Sequence, residues 1–184
     1  MHTSMSNAAV QHDADTAWRA LYTRHRHEKA VANILSSKGF EVFLPLYLAV
    51  HRWKDRNKQL SLPLFPCYVF LKGGLERQLD ILRTPGVYSL VAGASRSAVI
   101  PEEEINGFRR MLENGIRVEP HPFLKSGDRV RVKSGALAGV EGILIRKKGQ
   151  FRLVVSVTIL GKSAAAEIDV TTVERVSSRN VAAA

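Results

Sequence analysis

Leu64-Phe65-Pro66-Cys67-Tyr68-Val69-Phe70-Leu71 reads as a β-strand that is apolar on both faces. Side chains alternate along a strand, so Phe65, Cys67, Val69 and Leu71 share one face, and Pro66, Tyr68 and Phe70 the other. The first set suits a core. The second carries two more rings, which a small domain has little protein to cover, and aromatic surface left bare marks docking sites. The alternative is a segment buried on both sides with no docking role. Cys67 fits a small space-filling thiol.

Outward from this strand, the pattern is mixed α and β. Trp18 to Thr23 is a short strand. Glu28 to Lys38 is a helix with Ala30, Val31, Ile34 and Leu35 as its apolar stripe, stopped by Gly39. Phe40 to Leu44 and Leu46 to Trp53 are strands separated by Pro45, and Asp55-Arg56-Asn57-Lys58 is a hairpin tip leading into Leu60 to Leu64. A second helix follows Gly73-Gly74, with Leu75, Leu79 and Leu82 on one face. Thr84-Pro85-Gly86 turns into the strand Val87 to Val91. Pro101 followed by Glu102, Glu103 and Glu104 opens a third helix, because proline lacks an N–H that would go unpaired there and acids suit the positive end of the dipole. Ile105, Phe108, Met111 and Leu112 form its buried stripe.

Glu119-Pro120-His121-Pro122 is a stiff polar break, so residues 119–123 are expected to link two domains, 16–118 and 124–176. Beyond it, short β-branched strands are punctuated by glycine: Arg129 to Val132, Val140 to Arg146, Phe151 to Ile159, Ala164 to Ile168 and Thr171 to Arg175. Five strands in so short a stretch predict a small barrel. Residues 1–15 and 177–184 are expected to be loose tails.

The 184 residues carry 27 Lys and Arg against 17 Asp and Glu, a net charge of +10. Both 16–118 and 124–176 have the basic surplus, so it is not a detachable tail. A polyanion is the natural partner, unless the charge only solvates the surface. No apolar run approaches a membrane span, and Met1 to Asp15 does not read as a signal peptide. Cys67 is the only cysteine, which excludes an internal disulfide and fits a reducing cytoplasm. His25 and His27, beside one distant Cys67, make a poor ligand set, so no metal or other cofactor is expected. There is no Gly-x-Ser-x-Gly, phosphate loop or convergent catalytic set, so an enzyme is not expected.

The second half carries Leu124-Lys125-Ser126-Gly127-Asp128-Arg129-Val130-Arg131-Val132, then glycines at 135, 139 and 142. This spacing resembles the KOW motif. In the first half, Trp18-Arg19-Ala20-Leu21-Tyr22-Thr23, Leu64-Phe65-Pro66-Cys67-Tyr68-Val69-Phe70, Thr84-Pro85-Gly86-Val87 and Ile100-Pro101-Glu102-Glu103-Glu104-Ile105 occur in the order of the NusG N-terminal domain. The ordered set resembles the NusG/RfaH family of transcription elongation factors. Tyr22 to Lys29, Phe43 to Tyr47, Arg52 to Arg56 and Pro63 to Pro66 are most similar to its UpxY group of operon-specific antiterminators. The resemblance implies an α+β fold: a NusG N-terminal (NGN) α/β sandwich followed by a small KOW SH3-like β-barrel.

It also implies roles. Tyr22, Phe65, Pro66, Tyr68 and Phe70 would meet the clamp helices of RNA polymerase. Phe65 and Tyr68 point to opposite faces of a regular strand, so an irregular entry at Pro66 is needed if both touch it. Arg24, Arg26, His27 and Lys29 would approach the non-template DNA strand, or simply solvate a turn. Arg52, Trp53, Lys54 and Arg56 would graze upstream DNA, with Trp53 equally able to pack on its own hairpin. Ile159, Leu160 and Lys162 would meet ribosomal protein S10 or Rho, or else close the barrel. A monomer without a membrane partner is expected. The competing readings are a housekeeping NusG-type factor in Rho-linked termination and a ribosome-associated KOW protein that binds RNA.

Overall fold

The computed structural model describes residues 16–52, 57–92, 98–123, 127–147 and 149–176. The two expected tails, residues 1–15 and 177–184, lie outside them. The chain divides into two compact units, Met1–Ile105 and Asn106–Ala184.

The first unit is built on a four-stranded sheet in the order β2 (Glu41–Phe43), β5 (Tyr68–Lys72), β1 (Trp18–Thr23), β6 (Val87–Leu90). The two central strands are antiparallel, with Trp18 opposite Lys72, Ala20 opposite Phe70 and Tyr22 opposite Tyr68. One face of the sheet packs Leu21, Val69 and Leu71 against Val31, Ala32 and Leu35 of helix α1 (Glu28–Ser37), together with Phe40 and Ile81. Val31 and Leu35 stack one turn apart, which is why the stripe faces the sheet. Ala30, expected in the stripe, is exposed, and Ala32 is buried in its place. Gly39, with φ +85°, terminates the helix region as expected.

Helix α2 (Gln78–Leu82) differs more from its expected form. Leu79 and Leu82 are exposed, and Ile81 alone of this helix is buried. The preceding Leu75–Arg77 is a 3₁₀ turn, so the Leu75, Leu79, Leu82 spacing does not run along one α-helix. Strands β3 (Leu46–Arg52) and β4 (Asn57–Pro63) form a separate antiparallel hairpin that closes at Arg52 opposite Asn57.

The second unit contains a six-stranded antiparallel sheet in the order β12 (Val173–Arg175), β8 (Asp128–Val132), β9 (Glu141–Lys147), β10 (Gln150–Val157), β11 (Lys162–Glu167), β7 (Val118–His121). The last strand pairs with β8, and the 3₁₀ turn Val170–Thr172 precedes it. Strands β8 to β12 alone thus run in SH3-like order. All five expected strands are present within one or two residues, the last beginning at Val173 after the 3₁₀ turn.

Residues 119–121, expected as linker, are instead most of strand β7. Val118 to His121 pairs with β11, and Arg152 bridges Glu119 and Glu167 across three strands. Pro120 is tolerated because β7 lies at the sheet edge. Helix α3 (Glu102–Glu113) contributes its later turns to this unit. Arg110 Nη1 donates to Ala138 O, and Asn114 Nδ2 donates to Ala136 O at 3.2 Å. Gly107 lies on Val155 and Val140, and Leu153, Val154 and Val155 are all buried, so both faces of β10 are covered.

Gly142 is the KOW-type glycine pressed most closely against neighbouring backbone. A Cβ there would lie 2.5 Å from the Val154 carbonyl oxygen and 3.0 Å from Leu153 Cδ1. The backbone has little room to yield, so Gly142→Ala is expected to destabilise this unit by about 2–3 kcal/mol. Urea unfolding should show a lowered midpoint; a wild-type midpoint would refute that packing.

Candidate protein-docking face

The sheet face opposite α1 runs from sealed to open. At the sealed end, Trp18, Phe65 and Phe70 are each 2% exposed or less. Phe65 meets Phe70 edge-on at 5.8 Å, Phe70 lies 6.1 Å from Phe43, and Phe43 lies 6.4 Å from Trp18. At the open end, Tyr22 sits between Tyr68 at 5.6 Å and Tyr88 at 5.8 Å, stacked on the latter with an interplanar angle of 29°. Tyr22 is 42% exposed and Tyr88 64%, while Tyr68 is half-buried.

This corrects the exposed-patch reading of the Phe65–Phe70 stretch. Phe65 and Phe70 are core residues, whereas Tyr22, Pro66 and Tyr68 reach the surface. The cause is local. The strand does not begin until Tyr68, because Phe65 to Tyr68 is a turn in which Tyr68 N–H donates to Phe65 O at 3.2 Å. Proline at the second position and φ +68° at the third, Cys67, are the marks of a type II turn. The irregular entry required at Pro66 is therefore present, but it folds Phe65 inward onto Phe70. Pro66 gives up no ladder bond outside the strand.

Tyr88 is a member of this face that the sequence motifs do not mark. Val87 and Leu90 both pack on the core, a spacing that strand alternation does not anticipate, and Tyr88 and Ser89 are left exposed. Register also matters, because the β1–β6 pairing shifts between Tyr22 and Thr23. That irregularity increases local twist.

Partial burial raises the Tyr68 phenol above its ordinary value of 10.0, and the neighbouring Tyr22 and Cys67 add to the rise. Tyr68 is thus a neutral hydroxyl, able to donate, throughout the neutral range. A raised folded value means that this contribution to stability is full below pH 10 and is lost as pH climbs through the folded pKa. In a phenolate absorbance titration, one late component is expected among the four tyrosines, and Tyr68→Phe should remove it.

The basic turn between β1 and α1 flanks the tyrosines. Arg24 and Arg26 are exposed, and Arg26 has φ 65°. His27 is half-buried and precedes α1 without a side-chain cap. Lys29 Nζ donates to Ser61 O at 2.7 Å, so it tethers the β3–β4 hairpin as well as presenting charge. Arg52 closes β3; its side chain, and all of Trp53, Lys54 and Arg56, lie outside the described residues. In the second unit, Ile159 and Leu160 lie in the 3₁₀ turn Thr158–Leu160, and Lys162 opens β11. Leu160 is half-buried and Lys162 exposed; the Ile159 side chain is outside the description. The first group and this turn belong to different units.

Glu28 is 3% exposed at the first turn of α1, and its Oε1 accepts from Cys67 N–H at 2.8 Å. Cys67 Sγ lies 3.8 Å from His25 Nδ1. The chain turn therefore closes the distance that separates these residues in sequence.

The chain thus joins an α/β unit, with three contacting tyrosines at the open end of one sheet face, to an SH3-like β-module. The family model described as transcription termination factor nusG matches residues 16–109. The chain belongs to the NusG family, whose members are transcription termination/antitermination factors. It is similar to the transcription termination/antitermination protein NusG of Deinococcus radiodurans, 28% identical, with 83% of this chain and 95% of that protein covered. The Pseudomonas aeruginosa NusG is 26% identical over 74% of this chain and 80% of its own length. That of Escherichia coli K12 is 27% identical over 73% and 77%. Among solved structures, Thermotoga maritima NusG, described for its domain interaction, aligns over 88% of this chain and 97% of its own, at 21% identity and a TM-score of 0.48.

Proposed function

We propose that this NusG-family chain binds the clamp helices of RNA polymerase through Tyr22, Pro66, Tyr68 and Tyr88, and modifies elongation from there. The observation that carries the reading is the row of three contacting tyrosines, open to solvent at one end of an otherwise sealed sheet face. Aromatic anchors on a rigid strand frame suit a helical partner, since little side-chain entropy is lost on docking. Phe65 and Phe70 support this face from within. No helix among the described residues is long and apolar enough to cross a membrane.

Arg24 and Arg26 extend the face with positive charge, and we assign them phosphate contact with the non-template strand. His27 and Lys29 hold the turn and the hairpin, with Lys29 also near enough to add charge. Arg52, Trp53, Lys54 and Arg56 are retained as the upstream DNA group on sequence grounds. Removing one cation that neutralises a phosphate of single-stranded DNA lowers the salt dependence of binding by about 0.7 in the log–log slope. Arg24→Ala/Arg26→Ala should therefore flatten the slope by roughly 1.4 for binding to polymerase carrying an open bubble. An unchanged slope takes these residues out of the DNA interface.

The KOW-type module would recruit a second partner, ribosomal protein S10 or Rho, around Ile159, Leu160 and Lys162. The similarity of residues 22–29, 43–47 and 52–56 to operon-specific antiterminators supports a restricted set of target operons. In vitro transcription across a terminator, with and without Rho, tests the sign of the effect. Increased read-through supports antitermination. Increased Rho-dependent ending supports a housekeeping NusG-type role in Rho-linked termination. No effect on elongation, with no retention on polymerase, refutes the proposal.

A further inference from the structure

We propose that His25, Glu28 and Cys67 form a site for a thiophilic divalent cation of the zinc type, beside the tyrosine face. One donor atom from each residue lies within 4.8 Å of the others. They come from three places: the turn after β1, the first turn of α1, and the Phe65–Tyr68 turn. Zinc takes sulfur at about 2.3 Å and imidazole nitrogen at about 2.0–2.1 Å, which at the tetrahedral angle sets the two roughly 3.6 Å apart. The Cys67 Sγ to His25 Nδ1 separation is 3.8 Å. For this pair a shift of a few tenths of an ångström suffices, while the Glu28 oxygen, within 4.8 Å of both, has to close further.

The donor set is chemically selective. Thiolate, imidazole and carboxylate suit zinc, whereas magnesium and calcium favour oxygen alone. Three protein ligands leave a fourth position for water or a partner's donor. Glu28 is already oriented, because Cys67 N–H holds one of its oxygens at 2.8 Å and burial limits its rotation. Exposed His25 leaves an entry path. Cys67 lies between Pro66 and Tyr68, so a bound ion would clamp the docking turn to the start of α1.

The test uses the full chain, without an affinity tag, stripped of metal and kept reduced. Zinc is titrated in competition with a chromophoric chelator, and cobalt(II) serves as the optical probe. One equivalent should bind at this site with a thiolate-to-cobalt charge-transfer band in the near ultraviolet. The band should vanish in Cys67→Gly, and zinc affinity should fall at least tenfold in Cys67→Gly, His25→Ala and Glu28→Gln. Glycine tolerates the left-handed conformation at position 67, so Cys67→Gly keeps the turn and isolates the thiol. Glu28→Gln retains an oxygen to accept from Cys67 N–H. Zinc should also raise the thermal midpoint of the wild type but not of Cys67→Gly. Absence of the charge-transfer band in the folded wild type, or wild-type zinc affinity in His25→Ala and Cys67→Gly, overturns the site. Since the readouts are metal uptake and stability, the result is independent of whether the chain binds polymerase.

Discussion

Phe70→Ala is expected to lower the stability of the chain by about 3–5 kcal/mol, the usual cost of emptying a buried aromatic position. Phe70 has no exposed surface and packs against Phe43 and Phe65, with Ala20 opposite it on β1. The small Ala20 side chain cannot refill the space, so much of the cavity should persist. Against a typical domain stability of about 5–15 kcal/mol, such a loss leaves a sizeable unfolded fraction. Chemical denaturation should show it directly. A loss of partner binding in this variant would therefore report unfolding. Wild-type stability in Phe70→Ala would contradict the sealed end of the sheet.

Tyr22→Ala is expected to do the reverse: to fold nearly as well as the wild type yet bind polymerase about 30-fold more weakly. Tyr22 is 42% exposed and holds two neighbours, Tyr68 and Tyr88, in place by ring contact. Exposed side chains contribute little to folding. A central aromatic of an interface is a typical hot spot, worth about 2 kcal/mol or more when truncated, and 2 kcal/mol is a factor of about 30 in affinity. Tyr88→Ala should weaken binding too. The double variant should depart from the sum of the singles, because the two rings touch. Equal affinity for wild type and Tyr22→Ala, with matching circular dichroism, would remove the tyrosines from the interface.

Most of the strand framework is legible in alternation and in Gly and Pro punctuation. Trp18 to Thr23, the hairpin and the KOW-type strands fall within two or three residues of the expected bounds, because most are short apolar or alternating runs between turn formers. The Phe65–Leu71 reading fails at its entry. Period-2 logic carries Phe65 and Tyr68 to opposite faces, but a turn precedes the strand and cancels the parity. Leu79 misleads for a related reason: an apolar spacing across a 3₁₀–α junction does not stay on one face. Glu119 to His121 looks like a break because proline and charge dominate, whereas an edge strand tolerates both. The grouping of His25, Glu28 and Cys67 depends on a tertiary contact between a helix start and a distant turn, which no local pattern encodes. Tyr88 is hidden among residues whose burial depends on the β1–β6 register shift.

The most direct measurement is an NMR titration of the labelled full chain with the isolated clamp coiled coil of RNA polymerase, following aromatic and backbone signals. The account predicts saturable shifts centred on Tyr22, Tyr68, Tyr88 and the residues flanking Pro66, with the Phe70 ring little changed and the shifts abolished in Tyr22→Ala/Tyr88→Ala. Saturable binding that leaves those tyrosines unshifted, or that persists in the double variant, would contradict it.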